Sequence, residues 1–376
     1  MQVFPLLQVT GLRLAQHQAA SMTISVDFMN VDHLSDWMGH KAVDSPLLSA
    51  ASNHVNFVSP DETVLDVIYL DLPTFKKHKY HQWIRAGPRE TLYFEPSAVV
   101  AAIVTCGGLC PGLNNVIRSV TQTLLRNYGA KKVWGVPMGY KGLGQSVTPG
   151  SSELPWIDLT LDRVDSIHKR GGTVLGSTRG YGPDECTKLN AIMDRLVAEK
   201  VDQLYIIGGD GTHRGADAIS REAARRMMAM SVCCVPKTID NDIAFIDQSF
   251  GFDTAVSEAV KVINCALIEA QDSELGVGIV KLMGRGAGFV AVYASLASND
   301  VNICLIPEAP FDFDRSFFSF GLQRYFFPPF FPFGLQRPQN ICLIPETLIG
   351  LSRSHTHTSH THAYTNTHTH AHVPHP

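Results

Sequence analysis

The chain has 376 residues, 45% of them hydrophobic, and a formal charge of −4 from 31 Lys and Arg against 35 Asp and Glu. That length accommodates two or three folding units at about 100–200 residues each, and the weak negative charge excludes the basic excess of a nucleic-acid binder while leaving small anionic substrates open. Eight cysteines without a CxxC pair exclude a disulfide scaffold, and the lack of an apolar run of about 18 residues excludes a membrane-spanning helix.

Residues 1–60 read as an N-terminal extension without chemistry, expected to be disordered. The first acid is Asp27 and the only earlier Arg or Lys is Arg13, so an organellar transit segment is the second reading. The expected location is therefore cytoplasmic, with the plastid as the alternative. From Ser97 the pattern changes. Ala98–Val104 is a continuous apolar run of strand length, the signature of a parallel strand covered on both faces. It enters a turn from Gly107 to Gly112, after which Val116, Val120, Leu124 and Leu125 recur at helical spacing. Strand, glycine turn and helix make a βα unit with an anion site at the helix N-terminus. The glycine spacing matches neither a dinucleotide fingerprint nor a Walker loop. Cys106 and Cys110, at C-x3-C spacing, read as packing residues, with redox sensing as the alternative.

Val133–Pro137 is the next predicted strand and Gly139–Gly142 its turn, followed by a helix from Asp162 to His168. The loop from Lys169 to Gly180 is glycine-rich and carries Arg179, which can reach a phosphate or simply face solvent. Leu189, Ile192, Met193 and Leu196 mark an amphipathic helix. Leu204–Ile207 then reads as a buried strand running into Gly208-Gly209-Asp210-Gly211-Thr212, with a helix expected from His213 onward. Glycines there let a polyphosphate approach the backbone N–H groups. Asp210 reads as a Mg²⁺ ligand, since a carboxylate and a phosphate repel unless a hard cation bridges them.

Ser231–Val235 is a short strand, and Pro236-Lys237-Thr238-Ile239-Asp240-Asn241-Asp242 follows, setting phosphate donors beside a candidate base. Each run alone is also an ordinary turn or helix cap. Ala255, Ala259, Val262, Ile263 and Ala266 make a core helical stripe, and Val277–Val280 a strand leading to Met283-Gly284-Arg285. Gly286 and Gly288 do not have dinucleotide-loop spacing. The last regular strand is Val301–Ile306, ending at Pro307-Glu308. Beyond Asp314, Phe320–Arg324 recurs as Phe333–Arg337, and Asn302–Glu308 recurs letter for letter as Asn340–Glu346, too few copies for a repeat fold. From His355 the chain alternates His with Thr, Ala and Ser, a composition open to metal binding or to a disordered tail. The alternation of strands and helices predicts a three-layer α/β fold with a mostly parallel sheet, every motif lying at a strand's C-terminal end.

Gly107-Gly108-Leu109-Cys110-Pro111-Gly112-Leu113-Asn114, the GGDGT run, PKTIDND and Met283-Gly284-Arg285 resemble the phosphofructokinases in order and spacing. Arg85-Ala86-Gly87-Pro88-Arg89, Val104–Gly108 and Ser249–Thr254 are most similar to the plant-type ATP-dependent 6-phosphofructokinases. The resemblance runs from about Val55 to about Asp312. It implies a lead-in at 61–95, a catalytic core at 96–312 holding the nucleotide domain and part of the substrate domain, and a tail at 313–376 outside it. An incomplete second domain is expected to leave apolar surface uncovered.

The resemblance further implies a magnesium-dependent glycolytic kinase that moves the γ-phosphoryl group of ATP to the 1-hydroxyl of fructose 6-phosphate, working as a homo- or hetero-oligomer. It places Gly108, Arg179, Gly180, Gly209, Asp210, Gly211 and Thr212 at the nucleotide, with Asp210 on the metal. It places Lys237, Thr238, Ile239, Asp240, Met283, Gly284 and Arg285 at the sugar phosphate. Asp240 is then the base, supported by Asp242, while Arg179, Thr238 and Arg285 face the transferring group. Pyrophosphate-dependent relatives carry Asp where this chain has Gly211, which favours ATP, but share Lys237, which keeps pyrophosphate open. NAD and lipid kinases share only the GGDGT turn. A catalytically impaired nucleotide-binding protein is the other alternative, because the sugar-gripping segments of the family's C-terminal half have no match in the tail.

Overall fold

The computed structural model describes residues 26–28, 38–49, 55–59, 62–65, 80–144, 154–178, 186–243, 246, 248–272, 276–284, 286–309 and 340–345. The chain divides into two units, Met1–Glu95 and Pro96–Pro376.

In the first unit, β1 (Val26–Phe28) pairs parallel with β4 (Tyr80–Ile84), which also pairs antiparallel with β3 (Thr63–Leu65). A separate antiparallel pair joins β2 (Val43–Asp44) to β5 (Thr91–Leu92). The Arg85–Arg89 run is structural here. Arg89 donates to the carbonyls of Val58 at 2.8 Å and Arg85 at 2.7 Å, and Arg85 pairs with Glu62 at 2.5 Å.

The second unit is built on a five-stranded sheet in the order β10-β9-β6-β7-β8. Its strands are β6 (Val100–Thr105), β7 (Lys132–Val136), β8 (Ile157–Asp158), β9 (Gln203–Gly208) and β10 (Ser231–Pro236). All pairs are parallel except β7 with β8. Ala101–Thr105 are all buried, as an apolar run covered on both faces must be. Helices α1 (Leu113–Gln122), α2 (Tyr140–Gly144), α3 (Leu161–Val164), α4 (Cys186–Ala198) and α5 (Asp210–Arg225) connect the strands. The predicted turn at Gly139–Gly142 is thus mostly the helix α2. The predicted helix at Asp162–His168 is broken into α3 and a 3-10 turn at Ile167–Lys169.

Ile192, Met193 and Leu196 of α4, at helical spacing, are wholly buried against Leu204 and Ile206 of β9 and Ile219 of α5. Ile192→Val removes one methylene from this packing and is expected to cost about 1 kcal/mol, read as a lower urea midpoint with an unchanged slope.

A smaller parallel sheet has the order β11-β13-β12, from β11 (Val277–Leu282), β12 (Ile303–Cys304) and β13 (Asn340–Pro345). Helices α6 (Phe252–Asp272) and α7 (Phe289–Ser298) share a core with it through Phe252, Ala259, Ile263, Val280, Val290 and Ala294. The strand predicted at Val301–Ile306 is shorter than expected, because the second copy of its sequence takes the seat beside β11. Val277 pairs with Asn340 and Leu282 with Pro345, while the first copy pairs only through Ile303 and Cys304 on the outer side. The alternate residues Val277 and Ile279 of β11 stay 47% and 64% exposed, and Leu296 of α7 stays 69% exposed.

Candidate active site

Three strand ends lie side by side. Thr105 of β6 is in register with Ile207 of β9, and Gly208 of β9 with Pro236 of β10. The turns that follow these strands, although far apart in sequence, are therefore neighbours. Cys106 N–H donates to the Ile207 carbonyl at 2.8 Å, and Lys237 N–H to that of Gly208 at 2.9 Å.

The helix after β9 begins at Asp210, three residues earlier than the sequence predicts. Gly209 is extended (φ −87°, ψ −168°) and serves as the cap, so α5 starts at once, with an acid in its electropositive first turn. Gly208 has to be glycine: a Cβ there would lie 2.5 Å from the Thr212 side chain. Thr212 is buried, and its carbonyl accepts a 2.6 Å bond from the Tyr140 hydroxyl, which ties α2 to this turn. Gly211, by contrast, faces open space.

The Asp210 carboxylate is exposed and pairs with Arg214 at 3.1 Å. Among the described residues no group of three or more His, Cys, Asp or Glu could hold a metal by itself. A single carboxylate at a helix N-terminus instead suits Mg²⁺, which keeps several waters and takes most of its remaining ligands from a nucleotide's phosphates.

The glycine turn after β6 faces the Lys169–Thr178 loop. Asn114 grips that loop at both ends of its carboxamide, donating to the Arg170 carbonyl and accepting from Val174 N–H, each at 2.9 Å. Ser177 Oγ donates to the Gly107 carbonyl at 2.5 Å, and Thr105 Oγ1 to that of Gly176 at 2.8 Å. Between the two segments lies a cleft of about 530 Å³ lined by Gly107, Gly108, Leu109, Gly172, Thr173 and Ser177. Gly107 adopts φ +83°, and a Cβ on it would sit 3.7 Å from Lys237 Nζ. The lysine is 8% exposed, so it brings a positive charge to the floor of this turn. Burial pushes the Cys106 thiol up to about 12, and burial also raises Cys110, against the opposing pull of Lys237.

The loop after β10 is tightly organised. Asp240 is 8% exposed, and its backbone N–H donates to Thr238 Oγ1 at 3.0 Å. The same hydroxyl donates to Asp242 Oδ1 at 3.1 Å. Asp242 thus reaches Asp240 through Thr238. Asn241 sits in the left-handed region at φ +54°, a conformation Asn tolerates.

Gly108, Gly209, Asp210, Gly211, Thr212, Lys237, Thr238, Ile239, Asp240 and Asp242 therefore gather around the C-terminal edge of one sheet. Met283, 65% exposed, and Gly284, at φ +147°, lie at the end of β11 in the other sheet. Arg179, Gly180 and Arg285 lie outside the described residues. Sequence reasoning assigned nothing to Asn114, Ser177 or Glu308. Glu308 Oε1 accepts from Gly288 N–H at 2.8 Å and so caps α7. Its only sequence signal was an acid after a strand and a proline.

The family model described as Phosphofructokinase matches residues 100–320, more than half of the chain. The chain is 46% identical over 291 residues to ATP-dependent 6-phosphofructokinase 7 of Arabidopsis thaliana, covering 75% of this chain and 56% of the relative. It is 50% identical over 232 residues to the chloroplastic ATP-dependent 6-phosphofructokinase 5 of the same plant, covering 61% and 41%. With the ATP-dependent 6-phosphofructokinase of Borreliella burgdorferi the identity is 42% over 287 residues, covering 76% and 62%. The chain spans about half the length of the curated relatives it matches. In fold it is similar to the T-state phosphofructokinase of Pichia pastoris, with a TM-score of 0.55 at 21% identity over 74% of this chain and 28% of that one. The Saccharomyces cerevisiae phosphofructokinase gives a TM-score of 0.56 at 22% identity, over 66% and 33%. With this coverage and these motifs, the chain belongs to the phosphofructokinase family.

Proposed function

We propose that this chain is an ATP-dependent 6-phosphofructokinase, moving the γ-phosphoryl group of ATP to the 1-hydroxyl of fructose 6-phosphate and releasing fructose 1,6-bisphosphate and ADP. The observation that carries the reading is the meeting of the Gly208–Thr212 turn, Lys237 and the buried Asp240 loop at one sheet edge. The names of the relatives support ATP as donor, and so does the open space at Gly211.

The N–H groups at the start of α5 and the Gly107–Gly108 turn would receive the phosphate chain, and Lys237 would offset its charge. Asp210 would hold Mg²⁺, which would supply neutralisation of the negative charge on the phosphates. Asp240 accepts the proton of the sugar hydroxyl as that oxygen bonds to phosphorus and the bond to the ADP oxygen breaks. Thr238 and Asp242 hold Asp240 in place. Arg179 and Arg285 are assigned to the transferring phosphoryl group, and Ile239, Met283 and Gly284 to the sugar phosphate, by their motifs. We place the enzyme in the cytoplasm as an oligomer with related subunits; the chloroplastic names of some relatives favour the plastid as the second reading. No helix among the described residues is long and apolar enough to cross a membrane.

The test is a coupled assay of this chain, purified alone, with fructose 6-phosphate and either ATP or pyrophosphate, alongside calorimetric titration with Mg-ATP. Turnover with ATP is the expected outcome. Turnover with pyrophosphate alone would overturn the donor assignment. Mg-ATP binding without turnover would leave a nucleotide-binding chain that has lost catalysis.

A further inference from the structure

The stretch Ser249–Phe252 has no part in the chemistry above, yet it touches both loops that do. At one end Ser249, 4% exposed, donates from its hydroxyl to the Thr238 carbonyl at 2.6 Å, and from its N–H to Asn241 Oδ1 at 2.7 Å. These two bonds grip the Asp240 loop on either side of the carboxylate. At the other end Cys110 Sγ donates to the Phe250 carbonyl at 3.3 Å. Gly251, at φ +91°, has room for no side chain: a Cβ would stand 2.5 Å from Cys110 Sγ and 3.0 Å from the Pro111 carbonyl. The Phe250 ring in turn lies 3.3 Å from where a Cβ of Gly112 would be. The stretch ends at Phe252, 2% exposed, which opens α6, belongs to the core of the second sheet and packs edge-on to the exposed Tyr293.

We infer that Ser249–Phe252 is a brace that sets the spacing between the glycine turn at Cys110–Gly112 and the Asp240 loop, with Ser249 and Asn241 as positioning residues. Phosphoryl transfer depends on placement, so a spacer between the donor's turn and the acceptor's base bears directly on rate. That consequence rests on the proposed kinase activity; the brace itself does not. Because both clamps hold the same four-residue segment, releasing the Ser249 end frees the part of it that covers the Cys110 thiol. Cys110 thereby reports on a bond made more than a hundred residues away in sequence.

The experiment is timed iodoacetamide labelling of the full chain, with modified cysteines mapped by mass spectrometry. Ser249→Ala and Asn241→Gly are each expected to speed Cys110 labelling about fivefold, the effect of one lost hydrogen bond, while Ser249→Thr keeps the hydroxyl and the slow rate. Cys106, deeply buried under the sheet end, stays slow in every variant. An unchanged Cys110 rate, or a parallel rise at Cys106 that marks general loosening, overturns the brace. If the parent chain turns over, Ser249→Ala lowers kcat with the KM for nucleotide within about twofold; an unaltered kcat with faster labelling overturns its positioning role. A parent without turnover defeats the kinase reading and leaves the labelling result to decide the brace.

Discussion

Asp240→Asn is expected to reduce turnover about 10²–10⁴-fold while leaving the dissociation constant for Mg-ATP within about twofold. The carboxamide has the size of the carboxylate, and the bond from Asp240 N–H to Thr238 Oγ1 involves only the backbone, so the loop keeps its shape. What disappears is the ability to take the proton of the sugar hydroxyl as its oxygen attacks. Asp242, whose carboxylate accepts from Thr238, is expected to keep its positioning role. Single-turnover kinetics together with calorimetric nucleotide binding read the two effects separately. Near-normal turnover would remove Asp240 from the role of base, and a matching loss of nucleotide affinity would show that the substitution had disturbed the site at large.

Gly211→Asp should separate the two phosphoryl donors. No atom lies within 4 Å of the position a Cβ would take, and an acid in the first turn of α5 suits the helix dipole, so the fold tolerates the change. The new carboxylate, however, faces the phosphate chain that the start of α5 is proposed to receive. A like charge at such a distance is expected to weaken Mg-ATP binding by about 10–100-fold. Pyrophosphate, which lacks the α-phosphate and nucleoside, is expected to lose less than about threefold. Titration of the variant with each donor, with the urea midpoint as a control, distinguishes this from general damage. Equal losses for both donors would mean that Gly211 does not face the α-phosphate.

Much of the site was legible from letters alone. The runs at Ala98–Val104 and Leu204–Ile207 announce themselves by continuous apolarity, and the turns after them by their glycines. The start of α5 was not legible, because Asp210 reads equally as a turn residue or a first-turn acid until Gly209 is seen to be extended. Asn114, Ser177 and Ser249 escaped for a different reason. A small polar residue carries no pattern, and its role appears only when a carbonyl from a distant segment is found within 3 Å of it.

What the sequence determined by itself was therefore local: strand runs, helical stripes, glycine turns and the acid-bearing loop, each dictated by side-chain periodicity or by backbone sterics within a few residues. The tertiary structure alone decided which strand ends meet. Thr105 lies against Ile207 and Gly208 against Pro236 because parallel strands take their register from packing on both faces. The duplicated heptapeptide makes the division plain. Asn302–Glu308 and Asn340–Glu346 are identical in sequence, yet the first contributes a two-residue outer strand and the second a six-residue strand beside β11. Identical residues have identical propensities, so only the neighbours available to each copy, and the chain that leads to it, could assign them different places.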